Sequence, residues 1–108
     1  MDDIELLRTA AGRLEALAAR TTTGDWRTGG LLATRPEVIA HRPDGGTEHV
    51  AEARAASAAW ITALSPAVTG PLAGWLREAA DRSPVDPRAA EVARTLLTRL
   101  PVDSSPDC

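Results

Sequence analysis

The sequence predicts an α+β fold: a small antiparallel β-meander of three to four strands between Asp25 and Ala51, packed on one side by an N-terminal helix and by the two to three helices that follow. Three observations carry this. Apolar residues recur every three or four positions before Thr21 and again after Glu52, the period of helices that bury one face. Between these stretches the pattern changes to short extended pieces punctuated by glycine and proline. Next come two alanine-rich helical patterns, each with one tryptophan, Trp60 and Trp75, joined at Leu64-Ser65-Pro66.

The first helix is capped by Asp2 or Asp3, whose carboxylate accepts from a free backbone N–H of the first turn. Its apolar positions are Ile4, Leu7, Ala11, Leu14, Leu17 and Ala18, and its wet side carries Arg8, Arg13, Glu15 and Arg20. It stops at Thr21-Thr22-Thr23-Gly24, where β-branching and glycine both discourage continuation.

In the meander, Gly29-Gly30 is expected to link Trp26-Arg27-Thr28 to Leu31-Leu32-Ala33 as a two-residue hairpin, because both glycines tolerate positive φ. Arg35-Pro36 interrupts, since proline lacks a backbone donor and restricts the residue before it. The strand Glu37 to Arg42 then returns through Pro43-Asp44-Gly45-Gly46, the strongest turn signal in the chain, into Thr47 to Ala51. A loop of two or four residues sets Ile39 opposite Val50 and His41 opposite Glu48, so that His41 and His49 point to opposite faces. Such a sheet is not stable alone and requires helices against it.

The second helix, about Ala53 to Leu64, gathers Ala56, Ala59, Trp60, Ala63 and Leu64 on one side, with Trp60 as its core anchor. Ser65-Pro66 reads as a cap and first-turn proline. Gly70-Pro71 demands a kink or a restart, with a regular helix from Pro71 to Arg82 that buries Leu72, Trp75, Leu76 and Ala79. Asp86-Pro87 opens a last amphipathic helix carrying Ala89, Val92, Ala93, Leu96, Leu97 and Leu100. Residues 1–101 read as one domain and residues 102–108 as a disordered tail.

Composition excludes more than it identifies. Hydrophobic residues at 44% and charged residues at 25% are those of a folding globular chain, not of a disordered or fibrous one. All 12 basic residues are arginine, and lysine, phenylalanine, tyrosine, asparagine and glutamine are absent, the bias of a GC-rich genome. A net charge of −3 offers no long-range attraction to nucleic-acid phosphates. No apolar run approaches the roughly 18 residues of a membrane span, and the acidic start Met1-Asp2-Asp3 is unlike a secretory signal, so the expected compartment is the cytoplasm. The single cysteine, Cys108, has no disulfide partner within the chain and no companion ligands for a metal.

Several segments together carry a resemblance. Gly-Asp-Trp-Arg (24–27) follows the first helix, and Ala-Ala-Trp-Ile-Thr-Ala-Leu-Ser-Pro-Ala-Val (58–68) spans a helix junction. Leu-Ala-Gly-Trp-Leu (72–76) and Ala-Glu-Val-Ala-Arg-Thr-Leu-Leu (90–97) come after it. Over roughly residues 5 to 98 the chain resembles a group of small uncharacterised proteins common in Streptomyces, related actinobacteria and their phages and prophages. In that group a Gly-x-Trp element follows the first helix and a proline-bearing junction joins two later ones. Gly70-Pro71 departs from the uninterrupted helix of the group. The resemblance implies an accessory gene of actinobacterial or phage origin, and transfers no catalytic residue and no cofactor.

For function, the residues favour a non-enzymatic accessory or interaction protein with a protein partner, a homodimer included, because a core of alanine and leucine is thin and leaves helical faces for self-association. Trp26 and Arg27, adjacent at a strand start, are the candidate interaction residues, since Trp and Arg are enriched at interface hot spots. Burial of Trp26 between the first helix and the sheet is the competing reading. The alternative function is nucleic-acid binding by the helices after Ser65, with Arg77, Arg82 and Arg88 as its basic groups. A third is a small hydrolase or metal site at the His41/His49 hairpin, with Glu48 and Asp44 nearby, which the opposed faces of the two imidazoles disfavour. No catalytic, cofactor-binding or metal-ligating residue is assigned.

Overall fold

Alanine dominates what the chain buries. Among the described residues, only Leu7, Leu76 and Val38 of the fully enclosed side chains are large, and the rest of the apolar core is alanine. The computed structural model of the protein describes residues 1–29 and 36–102. Its elements are α1 (Asp3–Ala18), β1 (Asp25–Gly29), β2 (Glu37–His41), β3 (Thr47–Glu52), α2 (Ala55–Ala63), a 3-10 turn at Pro66–Val68, α3 (Thr69–Ala80) and α4 (Pro87–Arg99). The fold is α+β with a three-stranded antiparallel sheet in the order β1-β2-β3. Two compact units emerge: residues 1–20 with 69–108, which hold α1, α3 and α4, and residues 21–68, which hold the sheet and α2.

The helical unit follows its caps. Asp2 accepts from the Glu5 amide at 2.8 Å, and Asp86 accepts from the Arg88 amide at 2.9 Å ahead of Pro87. Pro71 falls in the first turn of α3, where an N–H has no partner inside the helix, so the proline is accommodated at a restart. Leu7, Ala10 and Ala11 of α1 meet Ala73, Leu76, Ala79 and Ala80 of α3 and Ala89 and Ala93 of α4 in one cluster. Small side chains let the helix axes approach closely, which encloses the two leucines.

Trp75 is therefore not the core anchor expected of it. The buried stripe of α3 is centred on Ala73, Leu76 and Ala80, and Trp75 lies at its margin, 43% exposed. An indole does not fit a seam built for alanine. Ile4 likewise faces out.

Ion pairs link the helices of this unit at their edges: Arg77 grips both carboxylate oxygens of Glu15, and Arg8 pairs with Asp81 at 2.9 Å. Hydrogen bonds from Arg77 hold the Glu15 carboxyl below its usual 4.5, desolvation opposes them, and the arginine charge adds to the lowering.

In the sheet unit, β1 pairs with β2 as Asp25↔His41, Trp26↔Ala40, Arg27↔Ile39, Thr28↔Val38 and Gly29↔Glu37. Gly29 is thus a strand residue and not half of a two-residue turn. The expected strand Leu31–Ala33, a fourth strand, and the tail at 103–108 lie outside the described residues. Gly24, at φ +116°, brings its backbone so close to the His41 carbonyl that a Cβ would sit 2.8 Å from the oxygen.

The β2–β3 register corrects the expectation. Pro43-Asp44-Gly45 is a three-residue loop: the Gly45 amide donates to the Arg42 carbonyl at 3.0 Å, Gly45 takes φ +89°, and the Arg42 amide donates to the Gly46 carbonyl at 2.8 Å. An odd loop moves the pairing by one, to His41↔Thr47, Ala40↔Glu48 and Ile39↔His49. An irregularity beyond Ile39 takes up Val50, and Val38↔Ala51 and Glu37↔Glu52 resume. His41 and His49 therefore share a face.

Within this unit α2 runs against β1 and β2. Its inward side is Ala58, with Ile61 and Thr62 half-buried and Ser65 buried beyond its end. The Ser65 hydroxyl accepts from the Ala67 amide at 3.3 Å, capping the 3-10 turn. Trp60, expected in the core, is 68% exposed. The helix carries no charge, and its two polar residues, Ser57 and Thr62, lie on different sides, so periodicity alone does not say which stripe turns inward.

Two expectations follow. Leu76→Ala is expected to cost about 2–5 kcal/mol in urea unfolding, because its cavity is walled by helices that cannot close on it, whereas Trp75→Ala next to it costs far less. Glu15 has a folded-state pKa below its unfolded one, so its contribution is present above the unfolded value and lost as pH falls through the folded one. Glu15→Gln is expected to lower the melting temperature slightly at pH 7, and that difference is expected to close in acid as the wild-type carboxyl protonates.

Candidate interaction surface

Among the described residues, β1, the polar sheet face and the outward side of α2 gather chemistry or apolar surface. The first is β1. Trp26 and Arg27 are neighbours in sequence and so point to opposite faces of the strand. Trp26 is half-buried, and its indole N–H donates to the Thr22 carbonyl at 3.0 Å, closing the segment that leads from α1 into the strand. Arg27 is exposed, with its Nε bonded to Asp25 Oδ2 at 2.7 Å. Trp26 serves as a strut, and the two side chains do not form a joint anchor.

The second is the polar sheet face. An open groove of about 600 Å³ is lined by Gly24, Asp25, Arg27, His41, Arg42 and Pro43 of the sheet unit, with Ala67 beside them. Its charges are largely spent: Asp25 on Arg27, and Arg42 on Glu48 at 2.9 Å. His49 lies on the same face as His41, yet its Nδ1 is 3.2 Å from Glu37 Oε2. Sharing a face does not bring the imidazoles onto one ligand: among the described residues no three His, Cys, Asp or Glu side chains converge in a way that suits a metal ion.

The third is the outward side of α2. Ala55, Ala56, Ala59, Trp60, Ala63 and Leu64 are all exposed, with Trp60 at 68% and Leu64 at 53%. They span half of the helix circumference, opposite Ala58, Ile61 and Thr62. No charged residue lies between Ala55 and Leu64. The ends of α2 are electrically bare as well: its first turn has no acid, its last turn has no base, and its N-cap, Arg54, makes no side-chain cap.

The basic residues of the later helices are distributed differently. Arg77 is engaged by Glu15, Arg82 by Glu78 at 2.6 Å, and Arg94 lies 3.8 Å from Asp3. This is a mixed-sign surface, not a basic stripe. None of the helices described is long and apolar enough to cross a membrane.

Comparison with protein-family models, with curated proteins and with solved structures finds no match to this chain. The surface is therefore read from its own chemistry. Sequence reasoning grouped Ala56, Ala59, Trp60, Ala63 and Leu64 of this stripe on one side but turned Trp60 inward. The missed signal was that α2 is uncharged all round while the residues on its other side, Ala58, Ile61 and Thr62, repeat with the same helical period.

If Trp26 is a strut, Trp26→Phe keeps its bulk and leaves the Thr22 carbonyl without this donor. The expected loss is about 0.5–1.5 kcal/mol in chemical denaturation.

Proposed function

We propose that the chain is a non-enzymatic accessory protein that acts by protein contact, and that the outward stripe of α2 is its contact surface. One observation carries the reading: Trp60 and Leu64, one turn apart, stand exposed on a helix with no charge of its own. A tryptophan side chain has roughly 150–250 Å² to bury. Covering the exposed part of Trp60 is then worth about 2.5–4 kcal/mol at ~25 cal/mol per Å². Contiguous exposed apolar patches mark interaction surfaces, and tryptophan is enriched at the hot spots of protein interfaces.

The nucleic-acid alternative draws less support. Arg77 and Arg82 give their charges to Glu15 and Glu78, so little unpaired cation is left for phosphate along α3. The hydrolase alternative has His41 in a groove whose carboxylate, Asp25, is engaged by Arg27. An accessory role also fits the resemblance to small actinobacterial and phage proteins.

A photo-crosslinking amino acid at Leu64, expressed in the source cell, tests this. Defined protein adducts are expected from position 64 and not from the exposed Glu91 on α4, and Ala59→Arg is expected to abolish them. Absence of any adduct at 64, or equal labelling from both positions, would overturn the reading.

A further inference from the structure

We draw no further inference here: the strongest candidate, the pocket of about 270 Å³ between α3 and the loop into α4 where Trp75, Glu78, Arg82 and Asp86 meet, has its carboxylates engaged by Arg82 and by the Arg88 amide, and nothing in the structure shows what it would hold.

Discussion

Close approach of alanines is the constraint on which the helical unit depends. A chain without phenylalanine or tyrosine has few ways to fill a wide core, so it narrows the core. Ala10 and Ala11 face Ala73, Ala79 and Ala80, with Ala89 and Ala93 from α4, and the space left over is sized for Leu7 and Leu76. Packing at crystal-like density tolerates neither a void nor an indole in that seam. Trp75 is displaced to the edge as a consequence, and the helices are pinned at their rims by Glu15–Arg77 and Arg8–Asp81. These exposed pairs set orientation more than they add stability, since water screens them.

Much of this was legible beforehand, and the legible parts share a cause. Asp2, Ser65-Pro66 and Asp86-Pro87 announce helix starts through local chemistry that does not depend on what lies across the fold. Pro43-Asp44-Gly45-Gly46 announces a hairpin for the same reason. What was hidden turns on counting and on rotation. The loop has three residues where an even number was assumed, and one residue of difference moves His49 to the other face. The rotation of α2 was hidden because a helix uncharged all round leaves two opposite stripes open to burial. Only the packing of Ala58, Ile61 and Thr62 inward decides between them.

That rotation joins the fold to its candidate site. The sheet unit turns the less bulky side of α2 inward and leaves the helix's two largest side chains, Trp60 and Leu64, outside. The structure thereby keeps a stripe with the composition of a core and the exposure of a surface. Residues selected only for solubility would break that stripe with arginine or glutamate, as α1, α3 and α4 do on their own outward faces. On α2 the nearest charges are Arg54 at one end and Glu52 before it.

The sheet offers the other classical route to association, and its side chains oppose it. In the described sheet β1 and β3 are the outer strands, and open strand edges attract further strands unless something prevents it. β1 carries Asp25 and Arg27, and β3 carries Glu48, His49 and Glu52, with an irregularity at Val50 that spoils a straight row of donors and acceptors. Charges at such edges must be desolvated before a new strand can add, a cost that backbone hydrogen bonds exchanged with water do not offset. The α2 stripe has no such barrier, because covering it desolvates carbon. Of the surfaces presented by residues 21–68, the helix stripe is thus the one on which contact would gain free energy without first losing it, which is the physical ground for proposing α2, and not the sheet, as the contact element.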